Sequence, residues 1–562
     1  MRSVHRFFVA CFLVAVSCFT FVAHAGQDPE VSVREMPRAW STQSSIPYYI
    51  DVRSRRGGEI RITAISEGFG KNTVYKTVSV PPNASLRLEM TAPDGQYSTV
   101  SCEGSGLSVR EHLSHPGFDG RNLSGVYPSP LLCVNSFLLR ELELLDPADT
   151  LDDMSSANMV LDEMPTRWQS YSGMVGVLVM EAREAKLLKP AQREALTIWV
   201  RWLGGRLWLG GSDAEATAKE LGFDLSRFPK KSSRGVTRYQ VLNGVVCIQP
   251  RPDAAELVAN LPSGVNQNPL EAYYHYKSYY DESTAAGNWL LESFAGISTN
   301  VIIGALIVLG VAMGPLNYWF IRRRKKMLLF FVTTPVIACL GTVCIIVASL
   351  LSEGIGGSYA QFAVLARDEA GEDAMLYDLR GVKSGFSAPQ PRFSEDSLVF
   401  PIRGGGYGER RELTTDLTDG VRLVGGWLLP RFPCGFGVVR PAVGRMGVDV
   451  EMEDGRPFVV NNLGFNVKRV AARLADGSVV WAEAVAPGAR AALNQDASGL
   501  RLQQLDERLR LLADNKKAFS DACLIAECDG LPYLDDGGVS ASRVKGEYYF
   551  CLVGTACGEG RP

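Results

Sequence analysis

The sequence predicts a multidomain, membrane-anchored protein that is mainly β outside its membrane segment and contains one α/β domain. Three patterns predict this class: two long apolar stretches around a short basic segment, short alternating strands on both sides, and one strand–helix–strand pattern. The chain of 562 residues is also too long for a single hydrophobic core, because such cores stop growing at about 250–300 residues. We therefore expect several domains.

Residues 1–25 have the pattern of a cleavable signal peptide. A basic start at Arg2 and Arg6 precedes an apolar run over residues 7–22, and residues 23–25 (Ala-His-Ala) form an A-x-A cleavage site. The alternative is an uncleaved anchor helix, which the short apolar run disfavours. The mature chain is therefore expected in an exported compartment.

A β-sandwich is expected over residues 26–120. Short alternating strands at residues 48–52, 59–63 and 85–90 are separated by turns rich in Gly, Pro and Asn. Their spacing is typical of a small antiparallel sandwich.

An α/β domain of flavodoxin-like type is expected over residues 121–265. The apolar run 174–180 predicts a strand buried on both faces, residues 190–203 have helical periodicity, and residues 206–209 predict the next strand. This order is a βαβ unit, which favours a parallel sheet. Ser212 or Asp213 after that strand either caps the next helix, which we favour, or lines a ligand crevice.

Residues 171–211 resemble the class I glutamine amidotransferase-like domain of exported bacterial membrane proteins. Active members of that family have a cysteine nucleophile at a strand end, together with a histidine and an acid. Here that strand end reads Trp208-Leu209-Gly210-Gly211, and there is no histidine between His115 and His275. Because acyl transfer needs a nucleophile near a base, the resemblance implies an inactive domain.

A transmembrane hairpin is expected after a linker over residues 266–299. Residues 300–321 and 327–351 are each long and apolar enough to cross about 30 Å of hydrocarbon. The segment between them is strongly basic, and the positive-inside rule assigns it to the cytoplasm. Both flanking regions are then expected on the periplasmic or extracellular side of the bacterial inner (plasma) membrane. The topology residues are Arg322, Arg323, Arg324, Lys325 and Lys326.

Four residues of the first span are candidates for docking within the membrane. Gly314-Pro315 should kink the helix, and Tyr318 suits the membrane interface. Asn317 either bonds another helix or is hydrated near the interface, and hydration is favoured. Neither span has an acidic residue, so an ion pathway is not expected.

A mainly β domain with one amphipathic helix, at residues 500–512, is expected over residues 352–562. Part of it resembles an immunoglobulin-like sandwich. The whole layout, with a GPLNY-type motif at residues 314–318 and a basic loop, resembles an uncharacterised family of exported bacterial membrane proteins. The resemblance implies partners such as MoxR-type ATPase or ABC-transporter systems.

Composition argues against several kinds of chemistry. A net charge of −3 gives no general attraction for nucleic acid. The cysteines lack C-x-x-C spacing, and His112 and His115 are followed by Pro116, which predicts a loop rather than a metal site. Cofactors are therefore not expected. For disulfides, the first candidates are Cys551–Cys557 and Cys102–Cys133, while buried free thiols are the alternative for Cys523, Cys528 and Cys551.

Taken together, the patterns predict a non-enzymatic cell-envelope membrane protein that acts as a scaffold or partner-binding subunit, with an envelope or membrane protein as partner. One alternative is an auxiliary subunit of an ABC-type or MoxR-associated system. Another is an envelope hydrolase or amidotransferase, which would need a nucleophile that the motifs do not reveal.

Overall fold

The computed structural model describes most of the chain between residues 30 and 554, and that part is mostly β-sheet with a few helices. Residues 1–29, where the signal peptide is expected, residues 251–298, and Lys325 and Lys326 lie outside the described residues. The described ranges are 30–35, 45–54, 57–67, 71–93, 97–104, 107–114, 131–134, 156–172, 174, 177–228, 230–233, 235–250, 299–324, 327–353, 357–368, 373–385, 388–402, 412–474, 476–496, 498–513, 523–535, 537–539 and 543–554.

The strands and helices are numbered in chain order. Before the apolar helices the strands are β1 Glu30–Glu35, β2 Ser45–Ser54, β3 Gly58–Glu67, β4 Lys71–Val80, β5 Ala84–Pro93, β6 Tyr97–Gly104, β7 Leu107–Ser114, β8 Leu131–Val134, β9 Ser156–Met159, β10 Val177–Glu181, β11 Arg206–Gly210, β12 Lys230–Ser233, β13 Val236–Val241 and β14 Gly244–Gln249. After them the strands are β15 Ser358–Arg367, β16 Asp373–Lys383, β17 Arg392–Phe393, β18 Leu398–Ile402, β19 Glu412–Asp416, β20 Val421–Gly425, β21 Pro433–Val443, β22 Val448–Glu453, β23 Arg456–Asn461, β24 Val467–Arg473, β25 Val479–Val485, β26 Arg490–Ala492, β27 Asn494–Gln495, β28 Leu524–Cys528 and β29 Arg543–Val553. The α-helices are α1 Ala182–Ala185, α2 Pro190–Trp202, α3 Ala214–Glu220, α4 Thr299–Val311, α5 Asn317–Arg324, α6 Phe330–Glu353 and α7 Leu500–Ala513.

Two sheets form a sandwich at the start of the described chain. One has the order β1-β2-β5, and the other has the order β17-β20-β19-β4-β3-β6-β7. Their facing side chains alternate along each strand, as Ile60 and Ile62 do on β3, and pack against Tyr48 and Ile50 of β2. The strands expected at residues 48–52, 59–63 and 85–90 lie within β2, β3 and β5.

Strands that precede the apolar helices in sequence and strands that follow them together form the second sheet of the sandwich. β19 pairs in parallel with β4, from Glu412 beside Lys71 to Asp416 beside Tyr75. β20 and β17 continue the sheet beyond β19. The backbone of Leu417 also donates a hydrogen bond to the Tyr75 carbonyl, 2.8 Å away. β4 is therefore an interior strand because residues more than 300 positions later pair with it.

The expected βαβ unit is present as β10, α2 and β11. β10 and β11 are parallel, and α2 begins at Pro190, whose fixed φ suits a first helical turn. Five strands are parallel neighbours in the order β9-β8-β10-β11-β14, and the hairpin β12-β13 extends the sheet beside β14. Trp199 of α2 is fully buried and stacks on Tyr171, with ring centroids 5.3 Å apart.

The region after the apolar helices is centred on a nine-stranded sheet. Its order is β18-β21-β16-β15-β29-β28-β24-β25-β27, in which β15 and β29 are parallel. A small sheet, β22-β23-β26, packs on part of it, and α7 contributes Leu502, Leu505 and Leu509 to the core. The helix expected at residues 500–512 is thus found at Leu500–Ala513.

One hydrophobic core joins the α/β sheet to the nine-stranded sheet. It contains Trp199 and Trp202 of α2 together with Phe362 of β15 and Phe550 of β29. The hydroxyl of Tyr377 on β16 donates a 2.9 Å hydrogen bond to the Trp202 carbonyl. The regions before and after the apolar helices therefore pack as one body.

The structure corrects both disulfide expectations. Cys102 and Cys551 are buried free thiols, which rules out Cys102–Cys133 and Cys551–Cys557. Cys523 is disulfide-bonded, so the free-thiol alternative is wrong for this residue, whereas Cys528 is a buried free thiol.

His112 also differs from expectation. It lies on β7 rather than in a loop, with its Nδ1 atom 3.1 Å from the Thr99 hydroxyl across the sheet. Pro116 misled the prediction because it follows the strand end instead of interrupting the strand.

Candidate functional site: an apolar helical hairpin

Two helical segments are long and apolar enough to cross a membrane. They run from Ile303 to Arg324 and from Met327 to Val347, and few of their side chains are buried in the folded chain. Exposed apolar surface on this scale marks an interaction site, and the length of the two segments suits a membrane. The helices touch where Gly341 faces Leu309, so closely that a Cβ at Gly341 would overlap the leucine side chain. Such small residues let membrane helices approach one another.

The first span contains a turn of π-helix at Ala312–Leu316 that includes Gly314 and Pro315. Pro315 lacks an amide hydrogen, so the regular ladder cannot continue through it, and the wider turn absorbs the defect. The sequence predicted a kink at Gly314-Pro315, and the structure has a π-helical turn there.

Asn317 follows that turn, and its position corrects the favoured expectation. It is buried, and its amide Nδ2 donates to the Thr334 hydroxyl at 3.0 Å. The Thr333 hydroxyl donates to Asn317 Oδ1 at 2.9 Å. Asn317 thus bonds the second helix rather than standing hydrated at an interface, because α6 places two threonines opposite it. Tyr318, by contrast, is exposed.

Basic and aromatic side chains pair at the end of the first helix. The Arg323 guanidinium lies 4.0 Å from the centre of the Trp319 ring, and Arg324 lies 4.7 Å from that of Phe320. Cation–π pairs of this kind hold each guanidinium over an aromatic ring. Arg322 is also exposed there, and Lys325 and Lys326 lie outside the described residues.

The α/β domain has no nucleophile at the expected strand end. β11 ends with Trp208, Leu209 and Gly210, and the Trp208 indole donates a 3.0 Å hydrogen bond to Gln249 Oε1. Among the described residues, no group of three or more His, Cys, Asp or Glu side chains could hold a metal ion.

Asp213 occupies the N-cap position of α3 but makes no side-chain capping bond, contrary to expectation. Its carboxylate instead pairs with Lys186, and that hydrogen bond lowers the pKa of Asp213. The ion pair ties the loop after β11 to the turn after α1.

A polar chain crosses the interior of the nine-stranded sheet. The Tyr549 hydroxyl donates to Gln361 Oε1 at 3.1 Å, and Gln361 Nε2 donates to Asp378 Oδ1 at 2.8 Å. Arg380 donates to Asp378 Oδ2 at 2.9 and 2.6 Å and also bonds the Asp535 carbonyl. The side chains of Asp378 and Arg380 are only 2% and 6% exposed.

Glu395 joins three segments of the chain. Its carboxylate lies 3.1 Å from Lys76 Nζ on β4 and 3.0 Å from the Arg167 guanidinium near the α/β sheet. The Lys76 hydrogen bond is the main cause that lowers the Glu395 pKa. The sequence did not predict the ion pairs of Glu395 or the polar chain, because the partners are far apart in sequence and no short motif marks them.

No protein-family model matches the chain, and no curated protein matches it. Among solved structures, the chain is similar at 11% identity to the E. coli curli protein CsgC, with a TM-score of 0.12, over 15% of this chain and 97% of that one. It is also similar at 11% identity to a Paenibacillus sp. cycloisomaltooligosaccharide glucanotransferase, with a TM-score of 0.16, over 38% of this chain and 34% of that one.

Proposed function

We propose that the protein is a non-enzymatic scaffold of the cell envelope, anchored by its helical hairpin, with one partner-binding body on the non-cytoplasmic side. The observation that carries the proposal is the parallel pairing of β4 with β19. Paired strands lie only about 5 Å apart, so a hydrocarbon layer of about 30 Å cannot separate them. Both regions that flank the hairpin therefore belong on one side, which requires an even number of spans.

Three features support the non-cytoplasmic side. The amino-terminal residues have the signal-peptide pattern, and Arg322, Arg323 and Arg324 end the first span, where the positive-inside rule favours the cytoplasm. Cys523 is disulfide-bonded, and disulfides persist in oxidising compartments such as the periplasm.

The strand order of the α/β sheet supports a flavodoxin-like domain. Numbered in chain order, its five parallel strands run 2-1-3-4-5, which is the order of that fold. The missing nucleophile at Trp208 to Gly211 supports an inactive, amidotransferase-like domain that provides a surface rather than chemistry. The immunoglobulin-like likeness of the last region and the family resemblance remain predictions.

Cysteine cross-linking in intact cells tests the shared body. Thr73 and Thr414 are direct neighbours in the β4–β19 register, so the double variant Thr73→Cys with Thr414→Cys should cross-link under mild oxidation. The matched control, Ser79→Cys with Thr414→Cys, moves one thiol six positions along β4, roughly 20 Å away, and should not. Equal cross-linking of the two pairs, or none in either, would contradict the proposal.

Labelling from outside the cell tests the sidedness separately. Arg324→Cys should resist a membrane-impermeant maleimide until the cells are opened. Labelling in sealed cells would place the loop outside and overturn the topology.

Photo-cross-linking from the outer body, followed by mass spectrometry, should then recover an envelope protein. Recovery of only lipid would contradict the scaffold role.

A further inference from the structure

The nine-stranded sheet has one end at which the chain arrives from the second apolar helix. β15 begins at Ser358, directly after Gly357, and the register places Lys383 of β16 and Arg543 of β29 beside Ser358. Pro433 at the start of β21 pairs with Lys383. One end of each of these four strands therefore lies at the same edge, which we call the near end of the sheet.

Chain length limits how far the near end can lie from the membrane. Helix α6 ends at Glu353, and four peptide steps separate that residue from Gly357. Four steps cover at most about 15 Å. Glu353 itself lies two residues, or about 3 Å, beyond the apolar stretch that ends at Leu351, which places it in the headgroup layer of the proposed membrane.

Three exposed apolar side chains lie at this end. Leu429 and Phe432, in the turn before β21, are 37% and 38% exposed, and Val544 on β29 is 54% exposed. The turn is held at the near end by Ser384, whose hydroxyl donates to the Leu429 carbonyl at 2.9 Å. The Arg431 amide donates to the Ser384 carbonyl at 3.0 Å.

The same end carries cationic groups. Lys383 is the last residue of β16, and Arg431 lies in the turn that contains Leu429 and Phe432. Aromatic and aliphatic side chains flanked by cations are typical of surfaces that bind the headgroup region of a bilayer. The apolar side chains lie below the lipid phosphates, and the cationic groups lie beside those phosphates.

We infer that the turn Leu429 to Phe432, together with Val544, docks the outer body on the phospholipid surface from which α6 emerges. The tether makes this contact intramolecular, so a small apolar area is sufficient. Docking fixes the tilt of the body over its own anchor, which two helices and a short connection alone would leave free. The inference rests on the proposed membrane anchoring.

Two ends of one strand provide a matched test. β21 has 11 residues, so Val443, which is 85% exposed at its far end, lies roughly 33 Å from Pro433. The full chain is placed in vesicles of phosphatidylethanolamine and phosphatidylglycerol with brominated acyl chains, which quench nearby tryptophans. Phe432→Trp should add emission that bromine quenches, whereas Val443→Trp should add emission that bromine leaves unchanged.

The native Trp319 in the first span separates this inference from the proposed function. If bromine quenches the unsubstituted chain but not the added emission of Phe432→Trp, anchoring stands and the docking is refuted. If bromine leaves the unsubstituted chain unquenched, the hairpin is not in the bilayer and both fail. Quenching of Val443→Trp equal to that of Phe432→Trp would also refute docking through one end.

Discussion

Replacing Arg380 with Met removes the cationic half of the buried pair in the nine-stranded sheet. Asp378 would keep the Gln361 amide but lose both guanidinium hydrogen bonds. Removing one partner of a buried ion pair typically costs about 3–5 kcal/mol, because the remaining charge is left desolvated. An unfolding equilibrium should therefore shift by more than about a hundredfold, since 1.4 kcal/mol is a factor of ten.

The order of the polar chain predicts how further substitutions change that cost. The double variant Arg380→Met with Asp378→Leu removes the buried charge but leaves the Gln361 amide without its acceptor. A buried donor without an acceptor costs about 1–3 kcal/mol of stability. Adding Gln361→Leu and Tyr549→Phe removes the remaining polar side-chain groups of the polar chain and leaves only the Asp535 carbonyl that Arg380 had bonded. The loss of stability should therefore be largest for the single variant and smallest for the fourfold variant.

Pulse proteolysis across a urea series, on the full chain in detergent, measures these losses as shifts of the unfolding midpoint. The matched control is Lys468→Met, because Lys468 and Asp529 pair at 3.0 Å with side chains 48% and 46% exposed. That pair should contribute less than about 1 kcal/mol. If Arg380→Met were no more destabilising than the control, or if the fourfold variant were the worst, the reasoning about the buried chain would be wrong.

Three other predictions concern the hairpin, the thiols and the α/β core. Asn317→Leu should cost about 1 kcal/mol of helix pairing and accelerate amide exchange of the helix Asn317–Arg324 several-fold, measured by hydrogen exchange; unchanged exchange would count against its interhelical bonds. Cys523 of unfolded, non-reduced protein should resist alkylation until a reductant is added, whereas Cys551, whose thiol pKa burial raises to about 11, should react on unfolding alone, as mass spectrometry can show. Gly205→Ala would push a methyl into the Trp199 ring and should cost about 1–3 kcal/mol by urea unfolding, with Trp199→Leu relieving part of it in the double variant.

Local patterns predicted many of the strands and helices because their signals are contained within a few residues. α2 shows both its starting proline and its buried face in 13 residues. β21 was missed because its glycines weaken a strand signal. In the structure Gly437 leaves room for the ring of Phe400 on β18, and a Cβ there would overlap the ring.

The shared sheet could not be predicted in the same way. β19 (Glu412–Asp416) is short and polar, and nothing in its five residues identifies a partner in β4. Only tertiary packing assigns that neighbour, because strand pairing depends on the whole fold rather than on local propensity. Asn317 illustrates the same difficulty within the hairpin, since its partners, Thr333 and Thr334, become neighbours only when the helices pack.

The shared sheet also sets the order in which the apolar helices are synthesised and the sandwich is completed. β4 is completed by β19, which is synthesised roughly 330 residues later, a delay of about 15–65 s at ordinary elongation rates. During that interval the edge of β4 lacks its partner strand, and an open edge is a site for incorrect pairing. Both apolar helices lie between these strands in the chain, so the hairpin is synthesised before the sandwich can close. In the topology that we propose, the anchor is therefore already present in the chain when β19 completes the sheet.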